Sequence, residues 1–123
     1  MAVQTTDLGR ARRFYESVLR CSVLKTERTP KGREIVWLAC GGCRIELYSG
    51  KPSQPLTGEW NPNAVGPLAL GFSVRDLDDE VARLRGLGVR ITKPPYEPVP
   101  GERAAMIEGP DGEEIVLLER EVG

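Results

Sequence analysis

At 123 residues the chain has room for one ordinary core, and 17 basic against 18 acidic residues leave a net charge of −1, which favours neither nucleic acid nor an anionic membrane. It contains no histidine, which removes Ser-His-Asp and Cys-His catalysis, the common zinc-protease motif and the imidazole-bearing iron and zinc sites. No apolar run reaches the roughly 18 residues of a membrane span. The opening MAVQTTDLGRARR lacks a signal peptide's apolar centre, so a cytoplasmic protein is expected. Cys21, Cys40 and Cys43 are too few for a secreted disulfide framework and are expected to be reduced thiols.

In chain order, residues 2–6 read as a short strand and Asp7 as the N-cap of a helix. Leu8, Ala11, Phe14, Tyr15, Val18 and Leu19 recur at helical spacing and form its apolar stripe. Residues 23–26 read as a second strand, followed by a turn at Thr29-Pro30-Lys31-Gly32.

Residues 34–49 then read as a hairpin across Gly41-Gly42, a pair that tolerates the positive φ of tight turns. A two-residue turn makes opposed residue numbers sum to 83, so Trp37 faces Glu46 and Cys40 faces Cys43. Alternation puts Val36, Leu38, Cys40, Cys43, Ile45 and Leu47 on one wholly apolar face that needs a helix above it. The other face carries Ile35, Trp37, Ala39, Arg44, Glu46 and Tyr48, a mixed surface that suits solvent or the wall of a binding cleft. Cys40-Gly41-Gly42-Cys43 has CxxC spacing. It lacks a second such pair, any histidine and the strand-to-helix context of a redox motif, so it reads as two small core residues beside a turn.

Residues 51–67 are rich in proline and glycine and read as a linker between module one, 1–50, and module two, 68–120. Trp60 within the linker reads as a cover for a core edge or a lid over a ligand. Residues 68–74 form a strand, Asp76 an N-cap, and Leu77, Val81, Leu84 and Leu87 a helical stripe ending at Gly88. Residues 89–92 read as a strand and KPPYEPVPGE, with Tyr96, as a proline-stiffened loop. Residues 103–108 and 113–119 read as strands joined by Gly109-Pro110-Asp111-Gly112, with Asp111 a turn residue. The two halves repeat: Asp7-Leu8 matches Asp76-Leu77 at an offset of 69, and Ile45 matches Ile115 at 70.

In order and spacing, DLGRARRFYESVLR, RIELYS, FSVRDLDDEVARLRGLGV and EGPDGEEIVLLE resemble the vicinal oxygen chelate superfamily, which includes glyoxalase I, extradiol dioxygenases and fosfomycin- and bleomycin-resistance proteins. The resemblance implies an α+β fold of two βαβββ modules. Their curved mixed sheets surround a cleft, helices cover the outer faces, and the assembly is often a homodimer. It also implies four metal-ligand positions. One falls before Met1, its second-half counterpart is Ala69, the first hairpin supplies Glu46, and the last falls on Val116. One ligand of four cannot hold a first-row ion, which takes at least three, so neither metal nor cofactor is expected.

In the cleft so implied, strand parity puts Ala69, Gly71 and Ser73 on the floor, with Leu70, Phe72 and Val74 turned to the helices. Gln4 joins a second wall, as do Arg103, Ala105, Ile107, Glu114 and Leu118 if the 109–112 turn has a two-residue loop; another turn inverts that last set. Trp37, Arg44, Glu46, Tyr48, Trp60, Ala69, Gly71, Ser73 and Arg103 are the candidate ligand contacts. A metal-free protein that sequesters a drug or metabolite is the leading expectation, as a homodimer with no nucleic-acid or membrane partner. The alternatives are a metal-independent lyase or isomerase with Glu46 as catalytic base and Arg44 or Arg103 steadying negative charge, and a metal-dependent enzyme whose start lies upstream.

Overall fold

The computed structural model describes residues 1–50 and 69–120. The chain divides into two compact units, Met1–Gln54 and Pro55–Gly123. Within the first, β1 (Ala2–Thr5) leads into α1 (Leu8–Arg13) and a π-helical turn (Phe14–Val18), followed by β2 (Ser22–Arg28), β3 (Glu34–Cys40) and β4 (Cys43–Ser49). Within the second come β5 (Leu70–Val74), α2 (Leu77–Gly86), β6 (Ile91–Val99), β7 (Glu102–Glu108) and β8 (Glu114–Glu119). Each unit holds one four-stranded mixed sheet, ordered β1-β4-β3-β2 and β5-β8-β7-β6. The βαβββ pattern is therefore present twice with the same strand order. No helix among the described residues is long and apolar enough to cross a membrane.

Both helices begin as the capping residues dictate. The Asp7 carboxylate accepts from the Arg10 N–H at 3.0 Å, and that of Asp76 from the Asp79 N–H at 3.1 Å. The first helix does not continue as a regular α-helix. Leu19 N–H donates to Phe14 O, five residues back, at 3.3 Å, so the turn widens and the stripe narrows to Ala11 and Tyr15, both buried. Arg20 then takes a positive φ of 58° and turns the chain back towards the sheet.

That reversal overturns the expectation of three reduced thiols. Cys21 is bonded to Cys40 at the end of β3, with Cα atoms 4.5 Å apart, and only Cys43 is free and exposed. Alternation along one strand shows which face a cysteine shares; it does not show what the helix exit brings beside it. Cys43 accordingly is not one of the core residues.

The first hairpin has the expected register. All six pairs from Ile35↔Tyr48 to Cys40↔Cys43 hold, with Gly41 at φ 62° in the turn. Leu38, Ile45 and Leu47 are fully buried on the helix-facing side, with Val36 beside them. In the second unit the pairs run from Ala104↔Leu118 to Glu108↔Glu114, and Gly109 N–H donates to Glu113 O at 2.8 Å. The turn is thus one residue longer than a two-residue loop, with Gly112 at φ 82°. This extra residue inverts β7 relative to β8: Ala105, Ile107, Ile115 and Leu117 form the buried helix-facing row. Leu77, Val81 and Leu84 of α2 are buried, and α2 packs on β6, β7 and β8.

KPPYEPVPGE is not a loop throughout: residues 93–99 are strand and only Pro100-Gly101 form a turn. Residues 91–99 form an edge strand that pairs with β7 through three register shifts, at Lys93↔Met106, Tyr96↔Ala104 and Val99↔Glu102. An edge strand leaves one row of backbone groups unpaired, which is where proline's missing N–H costs least. Pro94, Pro95 and Pro98 are accommodated in this way.

Candidate functional site

On the side of the first sheet away from α1, the strand register assembles Trp37, Arg44, Glu46 and Tyr48. The Arg44 guanidinium lies 4.7 Å from the Trp37 ring centroid, and Lys25 Nζ, from the facing position on β2, lies 5.1 Å from it. Contacts of this kind at open sites contribute about 0.5–1 kcal/mol each, so a stacking ligand ring can compete with them. The Trp37 indole N–H is buried and makes no well-formed hydrogen bond among the described residues, interacting only weakly with the Glu27 carboxylate. A desolvated donor without a good partner costs about 1–3 kcal/mol, which makes it a feature in need of a reason.

Beside it, the Tyr48 hydroxyl donates to Glu46 Oε2 at 3.1 Å. That hydrogen bond, with desolvation and the charge of Glu46, holds the phenol above its ordinary value; the nearby Arg33 works in the opposite direction. Arg33 lies 4.7 Å over the Tyr48 ring and is anchored by Ser49 O at 2.7 Å and by the Gln4 side chain. At the far edge, Lys25 pairs with Glu27 at 2.8 Å and holds that carboxyl below its usual range. The Trp37 indole is the weakest of the influences on Glu27, in keeping with an N–H that reaches no acceptor at good geometry. Three cations and two carboxylates thus surround two aromatic rings on one face.

Lys25, Glu27 and Arg33 escaped the sequence reading. The alternation Lys25-Thr26-Glu27 puts Lys25 and Glu27 on a common face, but their partners depend on a register shift between Val23 and Lys25. Leu24 is the extra residue and is 52% exposed. An irregularity of this kind has no signature in an apolar pattern.

In the second unit, Gly71 and Ser73 are exposed on the sheet face away from α2, in register with Val116 and Leu118, and Ala69 immediately precedes that strand. Leu70 and Phe72 align with Ile115 and Leu117 of the helix-facing row, as parity required. Arg103 belongs elsewhere. The longer turn puts it on the helix-facing side, where its guanidinium binds Asp78 of α2 at 2.8 Å and Glu119 at 3.4 Å. Glu119 also accepts from the Leu77 N–H at 2.9 Å, so the cluster ties the start of α2 to β7 and β8. Arg103 is a fastening of the fold rather than a wall residue, as are Ala105 and Ile107. Trp60 lies outside the described residues.

A groove of about 480 Å³ runs between α1 and the outer strands, lined in part by Leu8, Arg12, Thr26, Arg28 and Glu34. It shares Glu27 with the array but includes none of Trp37, Arg44, Glu46 or Tyr48. Its charges are already matched, Arg28 with Glu34 at 2.6 Å and Arg12 with Glu16 at 3.4 Å, whereas the Trp37 array contains the poorly satisfied donor. The array is therefore the candidate site.

The array does not suit a transition metal. Glu46 is its sole carboxylate at a position of the ligand set implied by the family resemblance, and Ala69 and Val116 offer no donor side chain. Among the described residues no three Cys, Asp or Glu side chains converge as a metal would require.

A family model for the Glyoxalase/Bleomycin resistance protein/Dioxygenase superfamily matches residues 1–117. No curated protein matches the chain. Among solved structures, SMU.1112c is similar with a TM-score of 0.83 at 26% identity, over 97% of this chain and 95% of that one. The trypanothione-dependent glyoxalase I of Leishmania major is similar with a TM-score of 0.71 at 27% identity, over 97% and 83%. TnmS3, an antibiotic binding protein from Streptomyces sp. CB03234, shares the fold with a TM-score of 0.71 at 24% identity, over 98% and 93%.

Proposed function

Because the chain belongs to the Glyoxalase/Bleomycin resistance protein/Dioxygenase superfamily, we propose that it is a metal-free binding protein that holds a flat drug or metabolite on the open face of its first sheet. The observation that carries this reading is the Trp37 indole, flanked by Lys25 and Arg44 and with its own N–H lacking a well-formed hydrogen bond among the described residues, beside the Glu46–Tyr48 pair. A planar ring stacks where the two cations now lie, a carbonyl or anionic substituent meets Arg44 or Lys25, and Glu46 accepts from a ligand donor. TnmS3 binds an antibiotic on this fold. Fold does not fix ligand, so the weight rests on the array. The protein works as a homodimer in the cytoplasm.

Elemental analysis of the purified protein, a thermal-shift screen of planar drugs and small carbonyl metabolites, and calorimetry of the hits test this reading. Binding without turnover, with metal far below one equivalent, is the expected result. A stoichiometric first-row metal overturns the metal-free reading. Turnover that disappears in Glu46→Gln while binding persists replaces the binder with an enzyme in which Glu46 is the base.

A further inference from the structure

The cysteines are left unused by the binding site, yet their arrangement is chemically specific. Cys40 is bonded to Cys21, and its direct partner across the hairpin is Cys43, whose thiol is free and exposed. Facing residues of an antiparallel pair have Cα atoms about 4.5–5.5 Å apart, within the roughly 4.4–6.8 Å over which disulfides form. Cys40 is therefore bonded to one cysteine and faces a second whose backbone spacing permits a bridge, the Cys43 thiol now donating to Arg44 O at 3.6 Å. Given the cytoplasmic location proposed above, where disulfides are mostly transient or redox-sensing, a bond that exchanges is favoured over a permanent staple.

We propose that Cys21, Cys40 and Cys43 form a thiol–disulfide exchange centre that interconverts a Cys21–Cys40 and a Cys40–Cys43 bridge. The Cys43 thiolate attacks Cys40 Sγ; the Cys40–Cys43 bond forms as the Cys21–Cys40 bond breaks, and the electron pair leaves on Cys21 Sγ, which takes a proton from water. No oxidant or reductant is consumed. Exchange releases the start of β2 from the end of β3 and changes the bonding of the residue next to Arg44, which stacks on Trp37. The centre thus links thiol chemistry at the hairpin tip to that ring.

Trypsin distinguishes the two isomers, because cleavage after Arg20, Lys25, Arg33 and Arg44 puts Cys21 in peptide 21–25 and both other cysteines in peptide 34–44. The full chain is incubated without reductant at about pH 6 and about pH 8.5, where thiols ionise, then blocked with N-ethylmaleimide and digested unreduced. Exchange yields maleimide-labelled peptide 21–25 together with unlabelled peptide 34–44 that is lighter by two hydrogens, forming faster at the higher pH and at the same rate on tenfold dilution. Peptide 21–25 remaining cross-linked to 34–44 at both pH values, with Cys43 the sole labelled site, overturns the proposal. Loss of exchange in Cys43→Ser is expected; persistence of labelled 21–25 in that variant overturns it. As an independent arm, Cys21→Ser treated with oxidised glutathione closes the Cys40–Cys43 bridge, whereas two labelled or glutathionylated sulfurs in that variant overturn it.

Discussion

The two sheets share a strand order and a helix-facing row, and differ on their other faces. The pair Leu38↔Ile45 of the first unit corresponds to Ile107↔Ile115 of the second, and Val36↔Leu47 to Ala105↔Leu117, all of them buried. On the opposite faces the corresponding pairs are Trp37↔Glu46 against Met106↔Val116, and Ile35↔Tyr48 against Ala104↔Leu118, with Ile35 and Ala104 themselves buried. Residues that hold the helix are constrained by packing in both halves, because a buried row tolerates few changes of volume or polarity. Exposed residues on the far side are freer to diverge. Among the described residues the first unit carries two rings and five charges there, whereas the second carries one ring, Tyr96, with Lys93 Nζ 4.0 Å over it.

The largest expected effect probes what the units share. Leu47→Ala and Leu117→Ala, at 0% and 1% exposure, each cost about 2–5 kcal/mol by denaturant unfolding; a loss confined to one unit breaks the equivalence of the helix-facing rows. Next comes the open face. With any ligand found by the thermal-shift screen, Trp37→Ala weakens binding by at least about tenfold, or about 1.4 kcal/mol, while Met106→Ala leaves affinity within about twofold by calorimetry. Equal losses in the two variants would place the ligand contact outside the Trp37 array.

Two smaller effects follow from the ionisable groups. In the second unit, Arg103 donates to Asp78 and holds its carboxyl below its ordinary value of 3.8. A lowered folded value means that the contribution is present above the ordinary value and lost as pH falls through the lowered one. The melting-temperature advantage of the parent over Asp78→Asn therefore narrows below about pH 4. In the first unit, Glu46 holds the Tyr48 phenol above its ordinary value of 10.0. Stability from that pair is present below the ordinary value and lost as pH rises through the raised one. Glu46→Gln brings the Tyr48 phenolate absorbance midpoint down; an unchanged midpoint would show that the hydroxyl does not depend on Glu46.

Sequence alone determined the duplication, the two capping aspartates and the first hairpin. A two-residue glycine turn and strict alternation leave a single register, and that register assembled Trp37, Arg44, Glu46 and Tyr48. In the second hairpin the same reasoning depended on a turn whose length the residues did not dictate. One added residue carried Arg103 from the expected wall to a clasp on α2. Tertiary structure also decided that Cys21 meets Cys40, that Lys25 reaches Trp37 past a bulge, and that the prolines of 91–99 fit an edge strand. Local pattern encodes which face a side chain takes, because the pleat repeats every two residues. What it then meets depends on chain reversals and register shifts, which are settled by packing between segments distant in sequence.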